Sequence, residues 1–168
     1  LCAVLQMFYV LPATGLADNE ADNDLNENSE VYEIKMPITS GDFEGDNSIW
    51  DMWTREPDTG TFIIDTETKK NGEKAGKLNY TGNKDWSLTN YSASYRVNEG
   101  EIYKVQAWVK VEGPGKMQLN AIASGDNGNV INWNYGAVTI SSTNNEWQLV
   151  STSFVINEGI SKIVPRIT

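Results

Sequence analysis

The stretch EIYKVQAWVKV, residues 101–111, decides the fold, because apolar and polar side chains alternate along it with a period of two. Such a period is typical of a β-strand with one buried face, whereas an amphipathic helix repeats every ~3.6 residues. One face carries the side chains of Tyr103, Val105, Ala107, Val109 and Val111. We therefore expect a long strand here, with this face in the core.

The same alternation recurs in other segments of the chain. It is visible in MQLNAIA (117–123), in NVINWNY (129–135) and in EWQLVSTSFVI (146–156). Turn signals rich in glycine and asparagine separate the segments, among them NGEKAG, YTGN, GPG, SGDNG and SSTNN. No segment has a convincing helical period. The sequence therefore predicts an all-β fold, an antiparallel two-sheet β-sandwich of the jelly-roll type.

The composition excludes several classes of function. The 168 residues include 23 acidic and 13 basic ones and no histidine, for a net charge of −10. Nucleic-acid binding requires a basic face, so we expect no nucleic-acid partner. Without histidine the chain has no Ser-His-Asp triad and no histidine-ligated zinc. Its sole cysteine, Cys2, cannot form an internal disulfide.

The first 17 residues, LCAVLQMFYVLPATGLA, are apolar and end in small side chains. This pattern predicts a secretory signal peptide (1–17) cleaved after Ala17, amino-terminally incomplete because it begins at Leu1 without a basic region. The run is too short for a convincing membrane span, so we expect a secreted protein with no span in the mature chain. Two alternatives stay open: a lipoprotein signal with a lipidated Cys2, and a buried amino-terminal strand.

The remaining chain divides into a linker and one domain. Residues 18–40 are rich in acidic side chains with few apolar ones between them, which predicts a solvated acidic linker. The folded domain is expected over 41–168. The alternation still runs in IVPRIT (163–168), so we expect a strand in progress where the sequence stops. A sandwich without its last strand would expose an open edge.

Four segments of this domain follow one another in a characteristic order. They are GDFEGDNSIWDMW (41–53), AGKL (75–78), EGEIYKVQAWVK (99–110) and EWQLVSTSF (146–154). In this order and spacing they resemble the carbohydrate-binding modules of the CenC-like group, families 4, 9 and 22, which are galactose-binding-like β-sandwiches. The family pattern finishes with one more strand containing an aspartate pair, which this sequence does not reach.

The resemblance implies a jelly roll in which the concave face of one sheet, or the loops at one end, binds a polysaccharide of the β-glucan or xylan type. Such modules have no catalytic activity of their own. They are usually attached to a secreted glycoside hydrolase and target it to its substrate. We accordingly expect a polysaccharide or oligosaccharide partner, an attached catalytic domain outside this sequence, and a monomer.

A flat aromatic side chain can stack on the apolar face of a sugar ring while neighbouring polar groups bond its hydroxyls. In three places the sequence sets aromatic side chains beside polar ones, and the first of them, at Trp86, matches the position of a ligand-contacting aromatic in related modules. The candidate carbohydrate-binding residues are Trp86, Asn90, Tyr135, Trp133, Trp108 and Gln106.

Core packing is the alternative at each of these positions. Trp133 and Tyr135 share a strand face, so both should be core or both exposed, unless a bulge intervenes. A covering loop is the alternative at Trp108. Trp50 and Trp53 are expected to be apolar plugs at one end of the sandwich.

The resemblance also implies one structural Ca²⁺ that ties the first strand to the loop before AGKL. The matching carboxylate is Glu44, with further oxygens near Gly41 or Asp42 and near Gly76 or Lys77. Calcium prefers several carboxylate and carbonyl oxygens, and the final aspartate would come from the strand that the sequence does not reach. The alternative is an ordinary solvated acidic turn.

Two other functions compete with glycan binding. The first is a structural or adhesion module of a cell-surface protein, which would have buried aromatic side chains and no glycan site. The second is a glycoside hydrolase, which would need two carboxylates flanking the scissile bond. No pair of acidic residues is marked by its context, so we expect no catalytic residues in this domain.

Overall fold

The computed structural model describes residues 2–13 and 36–168. Most of the predicted acidic linker and the cleavage site after Ala17 therefore lie outside the described residues. All described regular structure is β-strand, which confirms the all-β prediction. The strands are β1 Cys2–Ala13, β2 Met36–Pro37, β3 Trp50–Thr54, β4 Gly60–Asp65, β5 Ala75–Tyr80, β6 Trp86–Asn90, β7 Tyr95–Arg96, β8 Ile102–Glu112, β9 Met117–Ser124, β10 Val130–Ile140, β11 Gln148–Val155 and β12 Lys162–Ile167.

The strands form two antiparallel sheets that pack face to face. The first sheet has the order β11-β8-β1-β5-β4, and β2 pairs with β1. The second sheet has the order β10-β9-β12-β6-β3, and β7 pairs with β12. This arrangement confirms the predicted sandwich. In the described part of the chain no helix is long and apolar enough to cross a membrane.

The core lies between the sheets and follows the alternation seen in the sequence. In β8 the side chains of Val105, Ala107, Val109 and Val111 are fully buried, as expected from residues 101–111. Burial of each large apolar side chain contributes roughly 1.5–3 kcal/mol. The second sheet supplies the opposing layer, whose fully buried members include Leu88, Leu119, Ile163 and Ile167.

The segment predicted to be a signal peptide forms β1 in the structure. Its backbone lies between β5 and β8, with Leu5 in register with both Gly76 and Val109. This is the arrangement of the alternative interpretation, a strand within the fold. The signal peptide stays a prediction about processing, and the two interpretations differ in whether β1 belongs to the mature domain.

The strand expected near residue 168 is present as β12. It lies in the middle of the second sheet, where it pairs with β9 through six positions and with β6 through two. Because β12 is central, side chains that alternate out of its plane reach the middle of the sheet's outer face.

Candidate functional site

The outer face of the second sheet carries a groove with a volume of about 1060 Å³. Side chains of β3, β6, β9, β10 and β12 and of the adjoining turns line it. Three of its lining residues are exposed aromatics, Trp53, Tyr91 and Trp133. The groove therefore combines apolar walls with a floor made from the outward side chains of a sheet.

A row of polar side chains crosses the floor from strand to strand. Asp51 on β3 is in register with Thr89 on β6, and Thr89 is in register with Arg166 on β12. Arg166 is in turn opposite Asn120 on β9. The Asn120 side-chain amide donates to Asn134 Oδ1 on β10 at 3.5 Å. The row thus spans all five main strands of the sheet.

A second polar row runs beside the first. Trp53 on β3 is opposite Ser87 on β6. Thr168 exchanges two backbone hydrogen bonds with Gln118, of 2.6 and 3.0 Å. The Gln118 side chain donates to Thr139 Oγ1 on β10 at 3.2 Å. Two parallel rows of side chains, polar except for Trp53, therefore run across the outer side of the sheet, perpendicular to the strands.

Tryptophan side chains stand at the two edges of this polar floor. Trp53 on β3 is 44% exposed and Trp133 on β10 is 54% exposed. The Arg55 guanidinium lies 5.6 Å from the Trp53 ring centroid, and the Arg166 guanidinium lies 5.5 Å from that of Trp133. Four strand spacings separate the two edge strands, or about 19 Å. The groove is therefore long enough for several consecutive rings of a linear ligand.

Two polar atoms on the floor have no hydrogen-bond partner among the described residues. They are Thr89 Oγ1 and Asn120 Oδ1, on residues that are 1% and 0% exposed. Both side chains point to the outer side of the sheet, because the side chains next to them on β6 and β9 face the core, but they lie beneath the residues that line the groove. They form a polar layer under the groove, next to Arg166 on β12 and Asn134 on β10.

Arg166 lies between these two residues and is half-buried. Burial lowers the pKa of its guanidinium, an effect that Tyr91 and Asp85 oppose, and the group stays charged at neutral pH. Its Nη1 donates to the Trp133 carbonyl at 3.0 Å. This bond fixes the cation beside the Trp133 ring.

The structure contradicts the expected exposure of Trp86 and Asn90. Trp86 is 6% exposed and packs its ring 5.9 Å from that of Tyr80, so only an edge of it reaches the groove wall. Asn90 is fully buried and donates to the Thr39 carbonyl at 2.7 Å. Both side chains share the inward face of β6 with Leu88, because alternate residues of a strand point the same way.

A bulge separates Trp133 from Tyr135, which the sequence analysis placed on one face. The register between β9 and β10 shifts between Asn132 and Tyr135. Trp133 consequently points into the groove, as expected for a glycan contact. Tyr135 is buried, its hydroxyl donates to the Val155 carbonyl, and its ring packs edge-on against Phe154. The assignment of Tyr135 as a ligand contact is therefore wrong in this structure.

Trp108 and Gln106 lie on the other sheet, and their assignment to the groove is also wrong in this structure. They are outward-facing, half-buried residues of β8. The Trp108 ring is covered by the Lys70 ammonium at 4.4 Å from its centroid. The covered indole matches the alternative given for this position.

Sequence reasoning missed Trp53 and Arg166. The expectation of an apolar plug holds for Trp50, which is buried and donates its indole N–H to the Ser40 carbonyl at 3.0 Å. Trp53 lies three residues after Trp50 on β3 and therefore points to the opposite face of the strand, where it lines the groove with Asp51. The alternation in WDMW was the available signal. No comparable signal marked Arg166, because its importance comes from the central position of β12.

The residues of the expected calcium site are arranged differently from a cation cage. Glu44 Oε1 accepts the backbone N–H groups of Glu73 and Lys74 at 2.7 and 2.9 Å. The Lys74 ammonium donates to the Glu44 carbonyl at 3.3 Å. In the part of the chain that the structure describes, no group of three or more acidic residues could hold a metal. Hydrogen bonds thus connect the segment around Glu44 to the loop before AGKL, which is the connection expected from a calcium ion.

The other positions named for calcium have roles of their own. Asp42 accepts the Glu44 N–H at 3.2 Å, and Gly41 donates to the Ile38 carbonyl at 2.8 Å. The Lys77 ammonium lies 3.4 Å from Asp65 Oδ2. A Cβ at Gly76 would lie 2.7 Å from the Phe43 ring, so that backbone is packed against an aromatic side chain. A calcium ion at this place would have to replace these hydrogen bonds, and the calcium site stays a prediction.

A family model described as a carbohydrate binding domain matches residues 37–168. A solved structure described as the CBM22-1 xylan-binding domain from Paenibacillus barcinonensis Xyn10C is 16% identical, with a TM-score of 0.46. That alignment covers 74% of this chain and 83% of the other. No curated protein matches this chain in sequence.

Proposed function

This chain belongs to the carbohydrate-binding domain family, and from that premise we propose that the groove of the second sheet binds a polysaccharide of the β-glucan or xylan type. The glycan lies along the polar rows, across the strands, with sugar rings on Trp53 and Trp133. In this role the module holds the polysaccharide and does not cleave it.

The chemistry of a sugar ring supports this role. One face of the ring presents C–H groups, which an exposed indole covers well, and the rim presents hydroxyls, which need hydrogen-bond partners. Trp53 and Trp133 offer the indoles at the two edges. These two exposed indoles, on the edge strands of a polar floor, are the single observation that carries the proposal, because each can stack on a sugar ring.

The groove's carboxylates favour binding over hydrolysis. Only Asp51 and Asp85 are acidic among the lining residues. Asp85 is held by Arg55, whose Nη2 donates to Asp85 Oδ2 at 2.7 Å. Hydrolysis would need one carboxyl on each side of a glycosidic bond, one of them protonated. Asp85 is already bound by the Arg55 guanidinium, which leaves Asp51 without a free carboxyl partner in the groove lining for such a reaction.

We further propose that the module is secreted as a monomer and targets an attached glycoside hydrolase to its polysaccharide. A structural Ca²⁺ stays a prediction. Its direct test is the melting temperature in a chelator, which falls if the ion is bound and is unchanged if hydrogen bonds alone hold Glu44 in place.

Affinity electrophoresis and calorimetry with xylan, mixed-linkage β-glucan and laminarin test the groove. We expect Trp133→Ala to weaken binding at least about tenfold, or ~1.4 kcal/mol. Trp108→Ala is the matched control and should bind as the wild type does, because Trp108 lies on the other sheet. Absence of binding to every glycan would favour the structural-module alternative, and release of reducing ends would favour the hydrolase.

A further inference from the structure

The groove is cationic although the chain is acidic. The whole chain has a net charge of −10. The groove nevertheless is lined by four cationic side chains and two carboxylates, namely Arg55, Lys84, Lys116, Arg166, Asp51 and Asp85. A local excess of positive charge within a negative molecule raises the local concentration of anionic ligands.

Arg55 and Asp85 neutralise one another at 2.7 Å. Of the three groove cations outside this pair, Lys84 and Lys116 are exposed and Arg166 is half-buried. The other ion pair that the structure describes, Lys77 with Asp65, lies outside the groove, so neither includes Arg166. A half-buried guanidinium has lost part of its hydration, and proteins usually compensate this loss with a carboxylate or phosphate.

The surroundings of Arg166 hold its planar guanidinium group in one orientation. Nη1 is fixed by the Trp133 carbonyl at 3.0 Å, which leaves the other guanidinium nitrogens for a ligand. Thr89 and Asn120, the residues in register with Arg166 on its two neighbouring strands, carry the unpartnered oxygens. Arg166 is therefore held between two buried polar side chains of the sheet and is itself one of the residues that line the groove.

We propose that the groove selects acidic glycans, in which the carboxylate of a uronic acid residue binds the Arg166 guanidinium beside the Trp133 ring. This inference rests on the proposed glycan site and specifies its ligand class. A planar carboxylate matches the guanidinium fork. Lys84 and Lys116 at the groove wall add a longer-range attraction for a polyanionic chain.

A matched pair of ligands tests the charge without altering the protein. Glucuronoxylan is compared with the same polymer after chemical reduction of its carboxyl groups to hydroxymethyl groups, by calorimetry at low and at high ionic strength. We expect the reduced polymer to bind at least about tenfold more weakly, and added salt to weaken only the acidic polymer. Equal binding of both polymers would overturn the acidic-glycan proposal and leave glycan binding intact, whereas no binding of either would count against both.

Variants assign the effect to Arg166. Arg166→Gln should lose the preference for the acidic polymer, and Arg166→Lys should keep part of it, because the charge remains while the fork is lost. Arg96→Gln removes an exposed arginine outside the groove and is the charge-matched control. An unchanged preference in Arg166→Gln would overturn the assignment. Equally tight binding of a xylan that carries sulfate groups in place of the uronic acid residues would overturn carboxylate recognition.

Discussion

At the scale of the residue, Trp86 shows how a buried indole can sit in a polar segment. The polar groups of Lys84 and Asp85, which precede it, have hydrogen-bond and ion-pair partners nearby. The Tyr80 hydroxyl donates to the Lys84 carbonyl at 2.6 Å and accepts the Lys84 N–H at 2.9 Å. Asp85 pairs with Arg55. The polar side chains thus stay near solvent while the strand that follows turns the indole inward.

We predict that Trp86→Ala lowers the free energy of unfolding by about 3–5 kcal/mol, because it leaves a large cavity beside Tyr80. Urea denaturation measures this change. Trp133→Ala removes the same side chain from an exposed site and should change stability by only ~0.5 kcal/mol. Equal stability of the two variants would show that Trp86 is not a core residue.

At the scale of the element, β10 determines which aromatic side chains reach the groove. Its pairing with β9 shifts register three times. Gly136, with φ of 62°, lies within the irregular part, and a Cβ there would come 2.0 Å from the Phe154 ring. Only glycine combines this conformation with such a close approach. The irregular strand can therefore turn Trp133 outward and Tyr135 inward.

We predict that Tyr135→Phe lowers the free energy of unfolding by about 1–3 kcal/mol and leaves glycan affinity unchanged. The Tyr135 hydroxyl joins β10 to β11, since it donates to the Val155 carbonyl and accepts the Asn157 N–H at 3.1 Å. Thermal unfolding and calorimetry measure the two quantities. A large loss of affinity in this variant would mean that Tyr135 contacts the ligand.

The same strand explains how far the sequence could predict the site. In β8 strict alternation assigns each side chain to a face, and the prediction for residues 101–111 is confirmed. Alternation fails across a bulge, because each register shift exchanges the two faces. Nothing local in NVINWNY distinguishes a regular strand from a bulged one. The position of β12 between β6 and β9 depends on topology, so Arg166 could not be identified from neighbouring residues.

At the scale of the whole molecule, two carboxylates hold the backbone in place. Glu44 connects two segments that are distant in sequence, and Glu101 closes the turn that begins at Asn98. The backbone N–H groups of Glu73 and Lys74 hold the pKa of Glu44 below its ordinary value of 4.5. Hydrogen bonds from the side chain and backbone of Asn98 do the same for Glu101. A carboxyl whose pKa is depressed on folding stabilises the protein above its unfolded pKa.

We therefore predict that the melting temperature falls as the pH is lowered below about 4.5, because these carboxylates must be protonated at the expense of their hydrogen bonds. Scanning calorimetry between pH 7 and pH 3 follows the loss. Glu101→Gln should show a shallower fall than the wild type. A melting temperature that stays constant, or rises, over this range would contradict the assigned hydrogen bonds.

The central claim is that the outer face of the second sheet holds the glycan, and the indole N–H signals of the six tryptophans test it most directly. A ¹⁵N-labelled sample is titrated with xylo- or gluco-oligosaccharide, and each signal is assigned by single Trp→Phe variants. We expect the signals of Trp53 and Trp133 to shift, while those of Trp50 and Trp108 stay in place. Shifts at Trp108 without shifts at Trp53 and Trp133 would place the ligand elsewhere and contradict the account.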